Sequence, residues 1–410
     1  MPEALLSPSS STVSPASGSA FELLCACCRA KPGPKQAERL AGWQFADFHW
    51  QEFLRIAEHH GVLALMARNL LDHATTLPPE IRGTLEEAYA TNFRRSLWFA
   101  AELIRVTRHL TQKQIRAIPY KGPVLAQSAY GDLGLRSFND LDLLIAPADF
   151  FCAKEALSEI GYQPSKTLTP ALERYWLRNG YESSFDGTRG KNLLELQWAL
   201  LPYFYAVDAG DFRFEDLWAR ASPINLGAGD LSSLDPADAA VPCLSREDSL
   251  LVLCLHAAKH LWTRLIWIAD IAENLRMPGM DLALVISRAR DRGFMRILGV
   301  SLCLAEKLFR APIPAARDVI GDDFEIPAIS GDSIARLADC GSYNFESTAY
   351  FRQIARLRER RRDRCRYLWR LALTPGEGDI AAVELPEAMF PLYRGVRLTR
   401  LLRKFVIPKY

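Results

Sequence analysis

Two aspartates stand one residue apart in the run SFNDLDLLI, Ser137 to Ile145. In a strand, residues i and i+2 project from one face, so Asp140 and Asp142 would stand side by side while Leu141, Leu143 and Ile145 face a core. Like charges that close repel, and a carboxyl pKa rises unless a cation neutralises them. Magnesium is the natural cation, because it prefers hard oxygen ligands and is held by few carboxylates together with substrate phosphates. A third carboxylate would complete a two-metal platform that stabilises attacking and leaving oxygens. The run LLELQW offers Glu195, which alternates against Leu194, Leu196 and Trp198. A strand lying in register beside the aspartate strand would bring Glu195 to Asp140 and Asp142.

A phosphate cradle should stand nearby. Lys121-Gly122-Pro123 follows the short apolar run IRAIPY, which reads as strand, tight turn and helix start. Gly122 permits close backbone approach, and Pro123 suits the first helical turn, where no N–H is needed. The N–H groups at such a helix start attract anions, and Lys121 adds a full charge. An acidic pair alone is common on exposed strand faces. The strand-KG-helix unit, the Gly/Arg loop GDLGLRS and the later strand acid give this one its weight.

These residues need elements to hold them. A disordered Ser/Pro-rich tail is expected over 1–20, with no basic residue ahead of its short apolar run, which makes it a poor signal peptide. Residues 21–114 carry helical periodicity, including a long amphipathic segment opened by Pro78-Pro79. The texture turns to short strands and Gly-rich loops over 115–205, a compact α+β module. Helical character returns over 206–345, where SREDSLLVLCLHAAKHLWTRLIWIADIAENL reads as one strong helical stretch capped by Ser245. On such a helix His256, Lys259, His260 and Arg264 share one face, either a substrate-facing edge or a polar face with two histidines packed beside Trp262. Asp270 reads as a salt-bridge partner. Residues 346–410 form basic C-terminal helices. His59, His60 and His109 lack any fixed set of partners and read as packed or solvated.

Bulk properties exclude several classes. The 410-residue chain is 49% hydrophobic and 24% charged, which is ordinary for a globular protein of two or three units. Its formal net charge of +2 argues for no nucleic-acid field over the whole molecule. The end from Arg352 onward is different, with 15 Lys/Arg against 6 Asp/Glu. Nine arginines lie between Arg352 and Arg370, which suits either an anionic polymer or a solvated helix facing the acidic remainder; the second is preferred. Nine cysteines sit mostly among apolar residues, and CACC (Cys25, Cys27, Cys28) has no second Cys/His pair at zinc spacing, so a reducing cytoplasm is expected. No apolar run approaches the ~20 residues of a membrane span.

The run IPYKGPVLAQSAYGDLGLRSFNDLDLLI, with the later LELQW, resembles the polymerase-beta-like nucleotidyltransferase superfamily. More closely, it resembles a bacterial group of uncharacterised nucleotidyltransferases, as do HAAKHLWTRLIWIADIAENL and PLYRGVRLTRLLRKF. The resemblance implies an α+β fold, a mixed sheet with helices, flanked by N-terminal and C-terminal helical regions. It implies Mg²⁺- (or Mn²⁺-) assisted transfer of a nucleotidyl group from an NTP to an acceptor hydroxyl or phosphate. Asp140, Asp142 and Glu195 would be catalytic and metal-binding. Lys121, Gly122, Arg136 and Lys259 would hold the nucleotide, Arg136 either on a phosphate or orienting an aspartate. His256, His260 and Arg264 would face substrate. The chain departs from the pattern in lacking the Gly-Ser of other members and in carrying Gln197 where this group often has His. The acceptor is expected to be a small molecule, a peptide or a protein. A non-catalytic module that uses the same cleft to hold a protein partner or RNA is the alternative.

Overall fold

The structure is a computed structural model that describes residues 16–45, 47–205, 212–227, 239–313, 323–341, 343–345 and 347–405. Most of the expected N-terminal tail lies outside these residues, but helix α1 (Ala16–Cys27) already takes in the last five positions assigned to it. Helices α2 (Pro34–Ala41), α3 (Trp50–His59) and α4 (Leu63–His73) follow. Helix α5 (Pro79–Gln112) begins with Pro79 in the first helical turn and runs for 34 residues, about 50 Å. Its second half buries Phe99, Leu103, Val106 and Leu110. Its first half is mostly exposed.

A five-stranded mixed sheet has the order β1-β2-β5-β4-β3. The strands are β1 (Ala117–Pro119), β2 (Leu141–Ile145), β3 (Gln163–Pro164), β4 (Glu182–Gly187) and β5 (Gly190–Gln197). Only β2 and β5 pair in parallel. Helix α6 (Gly122–Leu125) follows β1, α7 (Phe150–Glu159) follows β2, and α8 (Pro170–Asn179) precedes β4. Alternation gives the sheet two faces. Leu141, Leu143, Ile145, Leu194 and Leu196 pack with the second half of α5 and with α7. Ile118 and Leu144 point the other way, into a core shared with α1, α4 and the helices after residue 244.

After α9 (Phe214–Arg220), strands β6 (Ser222–Asn225) and β7 (Ala240–Cys243) form a hairpin where the sequence reads as helical. Each is four residues long and carries a proline, Pro223 opposite Pro242, so neither shows a period-2 pattern long enough to read. The stretch expected to form one helix is two: α10 (Arg246–Lys259) and α11 (Leu265–Leu275). Between them Leu261 and Trp262 hold φ of +50° and +51°. Each left-handed residue costs on the order of 1–3 kcal/mol. Burial of both side chains offsets that cost, with the Trp262 indole N–H donating to Ser301 Oγ at 3.0 Å. His260 therefore ends α10 and Arg264 precedes α11, so the four residues expected on one helix face are split across a turn.

Helices α12 (Leu282–Arg292) and α13 (Met295–Phe309) complete the core. Helices Glu325–Asp339, Thr348–Arg356, Arg361–Leu373, Glu377–Ala382 and Tyr393–Phe405 follow. Several arginines of the basic segment are used internally. Arg356 pairs with Glu325 and Asp332, Arg360 donates to the Arg290 and Asp291 carbonyls, and Arg358 is 2% exposed. Cys27 and Cys28 are fully buried, and burial pushes the nearby Cys25 thiol up to about 12. No helix among the described residues is long and apolar enough to cross a membrane.

Candidate active site

The pairing register assembles a polar row on the sheet face that looks toward α10 and α11. Asp142 of β2 stands opposite Glu195 of β5, and Gln197 of β5 stands opposite Glu182 of β4. Neighbouring strands lie ~4.8 Å apart, so the row spans roughly 10 Å across three strands. Asp140 lies one residue ahead of β2, at the end of the row nearest Lys121.

Internal donors bridge these carboxylates. Lys121 Nζ donates to Asp142 Oδ1 at 2.9 Å, with both side chains nearly buried. Gln197 Nε2 is 3.0 Å from Glu195 Oε2 and 3.3 Å from both Asp142 Oδ1 and Glu182 Oε2. The Tyr120 hydroxyl donates to Gln197 Oε1 and fixes the amide's orientation. Lys259 Nζ donates to Tyr181 Oη at 3.0 Å and lies over that ring. Among the described residues, no three Asp, Glu, His or Cys side chains stand together as an ion-holding group. Asp140, Asp142 and Glu195, expected to converge on a metal, are instead spread along a row with Lys121 and Gln197 donating between them.

The row is short of positive charge. Burial, then Asp142, pushes the Asp140 carboxyl up to about 7, against the pull of Lys121. Burial, then Glu182 and Asp142, pushes Glu195 up to about 7 as well. Glu182 is also raised, by burial, with Lys259 opposing. Burial acts against the charge on Lys121, but Asp142, Asp140 and Glu195 outweigh it and hold the ammonium above its usual range. Lys259 is lowered, because burial outweighs the pull of Glu182. The row's carboxylate oxygens are hard donors short of positive charge, the chemistry that suits a divalent cation, although Lys121 and Gln197 bridge them here.

A cleft of about 1150 Å³ opens onto the Asp142 end. It gathers eight of the ten expected site residues: Lys121, Gly122, Arg136, Asp140, Asp142, His256, His260 and Arg264. Its outer wall is the first half of α5, with Thr91, Asn92 and Arg95. Gly122 has φ +57°, and a Cβ there would stand 3.5 Å from the Asp140 carbonyl, so the Lys121 turn closes on the aspartate loop. The other two, Glu195 and Lys259, lie deeper along the row.

The loop GDLGLRS is pinned from both sides. Asn92 Nδ2 donates to the Gly134 carbonyl at 2.7 Å, and Tyr89 Oη donates to Asp132 Oδ2 at 2.9 Å. Arg136 forms a bidentate pair with Asp270 of α11, at 2.8 and 2.9 Å, and Tyr130 Oη donates to Asp270 Oδ1. The guanidinium, expected either on a phosphate or orienting an aspartate, pairs with Asp270. His260 stacks on Trp267 at 4.8 Å, and His256 meets both rings edge-on. Their aromatic neighbour is Trp267, because Trp262 turns away into the core. Burial, then Lys121, drives His256 well below its usual range; burial, then Lys259, drives His260 down to about 3. Both imidazoles are neutral at neutral pH.

Glu182 and Tyr181 belong to the constellation and were not singled out from sequence. The signal was the hairpin: once β4 and β5 are paired with a short Gly-bounded turn, Glu182 falls opposite Gln197.

Residues 46–310 match the family described as uncharacterised nucleotidyltransferase, and the chain belongs to that family. No curated protein and no solved structure matches the chain.

Proposed function

We propose, from that family membership, that the chain moves a nucleotidyl group from an NTP to a hydroxyl or phosphate oxygen of a small molecule, peptide or protein. The observation that carries the reading is the Asp142–Glu195 register on adjacent parallel strands, with Lys121 on Asp142 and a large cleft in front. Asp140 and Asp142 would hold Mg²⁺ (or Mn²⁺), and Glu195 would complete the set once Lys121 turns from Asp142 toward the nucleotide. A bound divalent ion supplies charge neutralisation at the α-phosphate and lowers the pKa of an oxygen it touches. Lys121, the Gly122 turn and Arg264 would hold the triphosphate. Arg136 acts as a positioning residue, since its pair with Asp270 fixes the loop that carries Asp140. The acceptor oxygen bonds to the α-phosphorus and its proton passes to Glu195. The α–β phosphoanhydride P–O bond breaks, and pyrophosphate leaves with the electron pair.

Incubation with labelled NTPs, Mg²⁺ and cell extract, followed by mass identification of whatever gains mass, tests the reading. Transfer of label, lost in Asp142→Asn, is the expected result. A second reading, a binding module without turnover, draws on the way Lys121 and Gln197 already bridge the carboxylates internally. Calorimetry with Mg²⁺ and each NTP separates the two: nucleotide binding supports transfer, and none under any condition supports the module.

A further inference from the structure

The polar row has a second end. Beyond Glu182 opens another cleft of about 820 Å³, walled on one side by β4 and α8 and on the other by the chain after residue 350. The near wall carries a fixed aromatic ring. The Trp176 indole N–H donates to the Glu182 carbonyl at 2.9 Å, and its ring lies so close to Gly180 that an added Cβ would come within 2.4 Å of it. The far wall is cationic. Arg397, Arg400 and Arg403 recur every three residues on helix Tyr393–Phe405 and all reach the cleft. Arg397 and Arg400 share one fully buried carboxylate, Asp379, so two positive charges face one negative. Arg403 is exposed and makes no ion pair among the described residues. Glu377 at the rim pairs with Lys166 and does not cancel that excess. The cleft thus offers aromatic surfaces, an excess of guanidinium charge and a carboxylate floor.

We infer that this second cleft is the acceptor's entrance, and that it takes a hydroxyl-bearing acceptor with a planar ring and a negative charge. This rests on the nucleotidyl-transfer reading. The division follows from the row itself. The Lys121–Gly122 turn and Arg264 lie at the Asp142 end and suit a triphosphate, whereas Tyr181 and Glu182 at the opposite end line the second cleft. The ring lies against Trp176 and Phe351, the anion meets Arg400 and Arg403, and the hydroxyl points along the row toward Glu182 and Glu195. The bond changes are those of the transfer above, with the hydroxyl oxygen attacking the α-phosphorus from the Glu182 side.

Phenyl phosphate, which has the ring and the charge and nothing else, is the probe. Calorimetry on the full chain is expected to show one site whose Kd rises tenfold or more in Arg403→Glu and in Phe351→Ala, and less than twofold in Arg264→Glu. Arg403 is exposed on its helix, so its charge reversal leaves the fold intact. With Mg²⁺ and an NTP, the same two variants bind nucleotide within twofold of wild type, yet transfer at least tenfold less label into the small-molecule fraction of an extract. The inference is overturned if wild type binds no phenyl phosphate, if only Arg264→Glu weakens it, or if the second-cleft variants lose nucleotide binding instead of transfer. Phenyl phosphate bound where no NTP binds anywhere overturns the transfer reading and the acceptor role with it, and leaves an anion site standing.

Discussion

The two clefts meet the same row of carboxylates but are built differently. The walls of the first all fall between residues 58 and 267, inside the segment shared with the nucleotidyltransferase family, and its key charges are locked in buried pairs. The second takes one wall from Phe351 and residues 374–403, beyond that segment, and its arginines stand on an outer helix that packs through a small cluster of Ile380, Phe390 and Tyr393. On the proposed reading, the difference separates two tasks. Positioning phosphates and a metal needs geometry fixed to a fraction of an ångström, which buried, over-determined pairs supply. On the same reading, choosing an acceptor needs a surface that can vary without disturbing that geometry, and a C-terminal wall outside the shared segment supplies it.

The sharpest way to break this contrast is at the first cleft. Asp142→Asn keeps shape and hydrogen bonding but removes the charge that pairs with Lys121. Transfer should fall by at least ~10³-fold, about 4 kcal/mol, while the far-ultraviolet circular dichroism spectrum is unchanged. Asp140→Ala should do the same. Full activity in either variant ends the assignment of the row as the reacting centre.

Next in size is the pair that ties the aspartate loop to α11. Arg136→Met leaves Asp270 buried and facing only the Tyr130 hydroxyl, so stability should drop by roughly 3 kcal/mol or more. Chemical denaturation would measure it. Arg403→Glu at the second cleft should shift stability by less than ~0.5 kcal/mol. Equal losses at the two sites would mean that the second cleft is as rigid as the first.

A buried residue behind the first cleft carries a pH signature. His60, against the turn between α10 and α11, accepts from the Leu265 N–H at its Nδ1 and lies 3.1 Å from the Leu337 carbonyl at Nε2. Burial, then His59, lowers its pKa to about 4. A depressed imidazole means that the unfolded chain binds the extra proton, so stability rises with pH up to the unfolded value near 6.5. It is lost as pH falls from ~6.5 toward 4. At pH 5 this amounts to about 2 kcal/mol for His60, with His260 acting in the same direction. His60→Gln should flatten the fall in Tm between pH 7 and 5; an unchanged slope would show that His60 is protonated in the fold.

How far the sequence spoke for each region follows the same divide. The facing of Asp142 and Glu195 on adjacent strands was legible because each interrupts a strand of leucines with period 2, and the turn at Lys121-Gly122-Pro123 because glycine and proline fix backbone shape locally; Asp140, expected in the same strand, lies just ahead of it. The α+β class with flanking helices was legible for the same reason. The Arg136–Asp270 pair joins residues 134 apart, which no local pattern reports. The break between α10 and α11 was hidden because residues 260–264 hold no glycine or proline to mark a turn, and the left-handed turn is held by tertiary burial of Trp262. Glu182 was hidden because β4 buries only Phe185 fully, so its facing depends on the register of the hairpin. The second cleft was illegible for a related reason: its walls come from segments nearly two hundred residues apart.

Glu182→Gln tests the contrast at its boundary, where the row passes from one cleft to the other. The amide keeps a hydrogen-bonding partner for Gln197 and leaves the Trp176 indole on the backbone carbonyl, so the wall stands. What goes is the negative charge that faces Lys259 and raises Glu195. If Glu182 serves only the acceptor side, kcat/KM for the acceptor should fall about tenfold, ~1.4 kcal/mol, while NTP affinity stays within twofold. The pH at which transfer reaches half its maximum should also move down, because Glu195 loses a neighbour that favours its protonated form. A matching loss of nucleotide affinity would place the triphosphate at the Glu182 end and exchange the roles of the two clefts. The direction of the pH shift is what a purely structural Glu182 would not produce.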